Sequence, residues 1–129
     1  MEQCTATGKE LQKAFVECFG VKWEEYWDDA DEIRVGYASS NGGTTFISFE
    51  TWLKLTGNLW NTLTTLPLDV EVETDEGTMF VEATLYNKDW NDIQQWEYNS
   101  LSLETVVMQA KVTYTNYLNS IEHNEEEQS

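Results

Sequence analysis

Carboxylates are the chemistry on offer in this chain, and they come in two dense runs. In the first, Glu24, Glu25, Asp28, Asp29, Asp31 and Glu32 occupy six of nine consecutive positions, interleaved with Tyr26 and Trp27 and preceded by Trp23. In the second, Asp69, Glu71 and Glu73 alternate with Leu68, Val70 and Val72, and Asp75-Glu76-Gly77 follows. After that turn Met79, Val81, Ala83 and Leu85 alternate with Phe80, Glu82, Thr84 and Tyr86. Period 2 on both sides of a glycine-containing turn reads as a β-hairpin with one face toward a core and one ladder of acids toward water. Like-facing carboxylates on a strand stand roughly 6.6 to 6.8 Å apart, about two steps of the 3.4 Å axial phosphate spacing of one DNA strand.

Other uses of carboxylates fit less well. A pair of acids can run glycoside hydrolysis, but any protein this acidic contains pairs at a suitable separation. Asn87, Asp89 and Asn91 match the first, third and fifth places of an EF-hand loop, yet Asp92 stands where that loop needs glycine and Tyr98 where it needs a bidentate Glu. Loose cation binding by Asp28, Asp29, Asp31 and Glu32 is open to any dense acidic cluster. Nucleophilic catalysis needs a base beside Ser or Cys, and the single histidine, His123, lies next to the acidic end of the chain. Cys4 and Cys18 are too few for a disulfide scaffold or, with that histidine, for a four-ligand zinc site, and both read as reduced thiols. Asn41-Gly42-Gly43 lacks the lysine and helix start of a phosphate loop and reads as a turn. The expectation is therefore no catalytic residue, no metal and no cofactor.

Charge then narrows the partner. Twenty-four acids against seven Lys and Arg give a formal net charge of −17 and a pI near 4.1. A polyanion of this kind has few cations with which to displace counterions from nucleic acid or to settle on an anionic membrane. Basic protein surfaces are favoured instead, because complementary fields speed encounter. There is no apolar run long enough to span a bilayer and no basic-then-apolar leader at Met1-Glu2-Gln3-Cys4, so the expected location is the cytosol.

Five elements must position the acids. Thr7-Gly8-Lys9-Glu10 has the form of a capping box, and Leu11, Ala14, Phe15, Cys18 and Phe19 follow at helical spacing, predicting a helix over 8–19. Ile33, Val35 and Tyr37, the Asn41-Gly42-Gly43 turn and the β-branched run 44–49 predict a first hairpin. Residues 49–65 fit either a helical face or an extended strand; length favours helix, with Gly57 as a break. Asn87–Ser100 reads as a polar contact loop carrying Trp90 and Trp96. Leu103, Val106, Val107, Ala110, Tyr114, Tyr117, Leu118 and Ile121 keep one face over about five turns behind Ser102 as cap.

The predicted fold class is α+β: one small domain over 1–122, a largely antiparallel four-stranded sheet of two hairpins packed by the N-terminal and long C-terminal helices. Residues 123–129 read as a disordered acidic tail.

Binding is what survives. The leading reading is a non-enzymatic polyanion mimic that inhibits a basic nucleic-acid-binding protein. In size, acidity and lack of catalytic residues the chain resembles phage and plasmid anti-restriction and anti-CRISPR proteins, which implies a Cas nuclease or restriction enzyme as target and, for a phage protein, the host cytosol. The alternatives are an immunity or antitoxin-like protein that neutralises a basic nuclease toxin, a carboxylate-pair hydrolase, and an acidic domain whose charge serves solubility alone. The expected partner-binding residues are Asp69, Glu71, Glu73, Asp75, Glu76 and Glu82 of the hairpin, Glu24, Glu25, Trp27, Asp28, Asp29, Asp31 and Glu32 of the first cluster, and Trp90 and Trp96, since aromatic residues anchor interfaces.

Overall fold

In the computed structural model, which describes residues 2–28, 31–38, 40–99 and 101–128, the long C-terminal helix contributes side chains to both hydrophobic cores. The chain runs α1 (Gly8–Glu17), β1 (Trp23–Glu24), β2 (Arg34–Ala38), β3 (Thr44–Ser48), α2 (Phe49–Thr56), α3 (Asn58–Thr65), β4 (Leu68–Asp75), β5 (Thr78–Tyr86), β6 (Asp92–Asn99) and α4 (Leu103–Gln128). The class is α+β, as the sequence predicts, but the strands form two separate antiparallel sheets, β1-β2-β3 and β4-β5-β6, in place of the expected single four-stranded one. Each hairpin recruits its own third strand: β1 pairs Trp23 with Val35, and β6 pairs Trp96 with Ala83.

Helix α4 separates the two sheets because successive residues advance by about 100° around a helix. Met108 and Val112 enter a core with Leu11, Phe15, Val16, Ile33, Val35, Phe49, Trp52 and Leu53. Val106 and Ala110 lie about 200° away around the axis and enter a second core with Val81, Ala83, Leu85 and Trp96. Residues 106–110, 112 and 113 are all buried, so this part of α4 is enclosed on most sides, unlike the single stripe its spacing suggests. Within the first core Phe15, Phe19, Phe49 and Trp52 meet edge-on or tilted at centroid distances of 5.1–6.4 Å. Such pairs contribute beyond the area they bury.

Local chemistry sets the boundaries. Ser48 caps α2 by accepting from the Thr51 N–H at 3.2 Å, and Ser102 caps α4 by accepting from the Thr105 N–H at 3.1 Å. The residues 49–65 are helical in two pieces, parted at Gly57, whose φ of 65° ends α2 in the left-handed conformation. The expected capping box of α1 does not form: Gly8 takes φ 58°, Thr7 makes no side-chain cap bond, and Glu10 pairs with Lys13 at 3.0 Å. Of the segment expected to be a contact loop, Asp92–Asn99 is strand β6, while Ser100 lies outside the described residues. The backbone of α4 continues to Gln128, through residues that the sequence pattern sets apart as a tail.

An extended N-terminal segment closes the molecule. Its backbone is gripped at every second residue: Asn116 Nδ2 donates to Glu2 O at 3.1 Å, Gln94 Nε2 to Cys4 O at 2.9 Å, and Gln109 Nε2 to Ala6 O at 2.8 Å. The Cys4 N–H donates to Thr113 Oγ1 at 2.8 Å, and that hydroxyl donates onward to Gln94 Oε1. Gln109 Oε1 also accepts from Trp96 Nε1 at 2.8 Å. The buried polar groups of α4 and β6 are thus spent on one another and on this segment, as buried polar groups must be.

Candidate functional site: an acidic sheet face

The acidic hairpin forms in the register its alternation demands. Leu68 faces Leu85, Val70 faces Ala83 and Val72 faces Val81 on the α4 side, while Asp69, Glu71 and Glu73 point outward opposite Thr84, Glu82 and Phe80. Asp75 closes the ladder against Thr78, leaving Glu76 and Gly77 as a two-residue turn with φ of 49° and 82°. Both residues are left-handed, the primed geometry that matches strand twist. Asp69, Glu71, Glu73, Asp75 and Glu76 are exposed, and Glu82 is half-buried beside its neighbours.

The electrostatics of this face are one-sided. From Leu66 to Ser102 there are nine acids and one cation, Lys88. Among the described residues, Asp69, Glu71, Glu73 and Glu82 make no ion pair. Glu71 sits directly across from Glu82, an arrangement of like charges that disfavours pairing of the strands. Desolvation, followed by the neighbouring Asp69 carboxylate, holds the Tyr86 hydroxyl above its ordinary pKa.

Aromatic residues flank the acids at the end away from the turn. Asn87 Oδ1 accepts from the backbone N–H groups of Asp89 and Asn91 at 2.8 and 2.9 Å, folding Asn87–Asn91 into a tight loop. This local closure is what the EF-hand-like spacing encodes. Trp90 rides on it with φ 63° and 72 % exposure, its ring 6.0 Å from that of Tyr86. A bulky residue held left-handed is uncommon and fixes the direction of the ring. Trp96 belongs elsewhere: it is buried in the core on β6, bonded to Gln109, and is no surface contact.

Glu97 is an acid of this face that sequence reasoning misses. It is exposed on β6, one position beyond Trp96 and two beyond Gln95, which pairs with Thr84 of the outward row. The signal is an alternation of Gln94 and Trp96 against Gln95 and Glu97, hidden because the inward partner Gln94 is itself polar.

The first acidic cluster lies across α4 from this face, and much of it is already engaged. Glu25 takes Lys13 at 3.0 Å and Lys9 at 3.5 Å, and the bond to Lys13 lowers its pKa. Glu24 accepts from the Tyr26 hydroxyl at 3.0 Å, which raises the tyrosine pKa. Glu32 Oε1 accepts from the Glu50 N–H at 2.6 Å at the start of α2. Asp28 and Asp31 are exposed, as is Trp27 at 97 %; Asp29 lies outside the described residues. Trp23 is in β1 and half-buried, while Trp27 is open to solvent. The structure does not merge the two clusters into one surface.

No group of three or more His, Cys, Asp or Glu is arranged to hold a metal ion among the described residues, and none of their helices is long and apolar enough to cross a membrane. No protein-family model matches the chain, and neither do any curated protein or solved structure.

An unpaired acidic face repels itself, so added salt should stabilise the fold. Screening shortens from about 30 Å at 0.01 M to about 10 Å at 0.1 M. The expected result is a higher melting midpoint in the more saline buffer, read by circular dichroism; an unchanged or lower midpoint would show that self-repulsion contributes little to the stability of the fold.

Proposed function

We propose that the protein is a non-enzymatic polyanion mimic of the cytosol, which occupies the basic groove of a nucleic-acid-binding protein with the outer face of β4-β5-β6. The observation that carries this reading is a sheet face on which Asp69, Glu71, Glu73, Glu82 and Glu97 stand with no ion pair among the described residues, including the opposed Glu71 and Glu82. Neither that opposition nor a glutamate in the left-handed turn position 76 helps the hairpin to form. Both keep negative charge on the face. Carboxylates repeat at roughly 6.6 to 6.8 Å along a strand and about 4.8 Å between strands, so several Arg or Lys of a phosphate-binding groove can each find an oxygen.

The mechanism is competition. Long-range attraction brings the basic groove to the sheet, and charge-assisted hydrogen bonds then replace those it would make to phosphates. Trp90, pinned against Tyr86 at the rim, supplies an apolar anchor that nucleic acid backbone lacks. A basic nuclease, whether a Cas or restriction enzyme or a toxin, fits the chemistry of this face.

The test is capture of partners from a host lysate at low and raised salt, followed by a displacement assay with the captured protein and labelled nucleic acid. The reading expects a basic nucleic-acid-binding protein that elutes with salt and releases its nucleic acid as this protein is added. A captured protein that holds its nucleic acid undisturbed would rule the mimic out.

A further inference from the structure

The helical side of the molecule carries a second surface, to which the acidic sheet contributes nothing. Helices α2 and α3 and the first turns of α4 enclose an open apolar groove of about 530 Å³, with Leu53 and Val107 at its base and Leu59, Leu63, Leu103 and Trp60 along its walls. Trp60 is 67 % exposed there. An exposed large aromatic beside an open apolar groove marks a surface built to be covered.

The groove does not end in apolar residues. At Glu50 and Glu104 it meets a second cavity of about 380 Å³, which Asp31 and Glu32 also border. The acids are held in place by the fold: Glu50 and Glu104 occupy the first turns of α2 and α4, where the partial positive charge of a helix start favours a carboxylate. Lys54 is the one cation among the residues lining either cavity, and it already pairs with Glu50 at 3.1 Å. Beyond the Glu50–Lys54 pair, Asp31 and Glu104 keep this end of the groove negative.

We propose that the composite groove seats an amphipathic helix of a partner protein, one with apolar side chains at i, i+4 and i+7 and a Lys or Arg pair at one end. The apolar stripe would lie along Leu59, Leu63 and Trp60, in the manner of a helix docked in a groove between helices, and the basic end would reach Glu50, Glu104 and Asp31. Charge chooses among occupants. A second copy of this chain would bring another −17 to an acidic rim, and an uncharged apolar ligand leaves the acidic cavity without a counterpart. The site is independent of the sheet face, which accepts charge without an apolar stripe.

A fluorescein-labelled helical peptide of eighteen residues, with leucines at i, i+4 and i+7 and two lysines at one end, tests this by anisotropy titration. Saturable micromolar binding to the wild type is expected, falling about tenfold for Trp60→Ala and for the Glu50→Gln/Glu104→Gln pair, and unchanged for Asp69→Lys/Glu71→Lys/Glu73→Lys. A control peptide with its leucines replaced by alanine should not bind. Trp60 and both glutamates are exposed, so these variants keep the fold, which circular dichroism verifies. The proposal is overturned if the peptide does not saturate, if Trp60→Ala binds it as well as wild type, or if binding follows the sheet variant or survives in the alanine peptide, either of which would indicate adsorption to net charge. Sedimentation showing a dimer that buries the groove would replace the partner helix with a second copy.

Discussion

Replacing Asp69, Glu71 and Glu73 together by lysine should slow capture of the basic target by about 10- to 100-fold at low salt, because steering by a concentrated field acts on the on-rate. The change reverses the sign of three of the four acids in the β4 row of the acidic face. All three side chains are exposed and point away from Leu68 and Val70, so the core is untouched. A lysine at position 71 would meet Glu82 across the strands, turning a repulsive pair into an attractive one. The variant should therefore melt no lower than wild type while displacing nucleic acid poorly. The deficit should shrink as salt rises, since screening removes the steering that was lost. Stopped-flow association at two salt concentrations is the measurement. Equal rates for the folded variant and wild type would make the hairpin a solvated face and move the mimic reading to Asp28, Asp31 and Trp27, or end it.

The second large effect concerns the N-terminal segment. Thr113→Val removes the one hydroxyl that both accepts from the Cys4 N–H and donates to Gln94 Oε1, at a fully buried position. Valine has nearly the same shape, so packing survives, but two buried polar groups lose a partner at about 1–3 kcal/mol each. The expected loss is about 2–6 kcal/mol, a fall in melting midpoint of roughly 10–20 °C. Thr113→Ser keeps the hydroxyl and should recover most of it. Deletion of residues 1–6 should also destabilise, and in that background Thr113→Val should cost less, because the Cys4 N–H is already gone; denaturant melts of the four proteins make the cycle. Full additivity would show that the segment does not dock through Thr113.

Much of this architecture is written in residue patterns. The acidic hairpin is legible because its inward residues are apolar, its outward ones charged and its turn carries Gly77. Strand β6 is not, since its inward pair is Gln94 and Trp96 and its pairing slips between Val81 and Ala83 and again between Leu85 and Tyr86. A polar residue facing inward and two irregularities are enough to erase a period of two. For the same reason the pattern places Trp96 at the surface, where it is not found. Gln109 and Thr113 similarly disguise α4 as a helix with a polar side, when their polarity serves the N-terminal segment. The division into two sheets is a matter of which strand meets which, and alternation within a strand carries no such information. In the first acidic cluster, the fates of Glu25 and Glu32 depend on Lys13 and on the start of α2, both distant in sequence.

Because α4 contributes side chains to both cores, neither half of the molecule has a finished interior until that helix arrives. On a ribosome the chain emerges from its N-terminus, so both hairpins and the strap at residues 2–6 are made before the surface they close upon. Until then the apolar surface that α4 will cover stays open, and the charge of the growing chain keeps such surfaces apart. The same acidity guards the unfinished chain, and a premature stop before Leu103 would yield a chain with two incomplete cores rather than a smaller working domain.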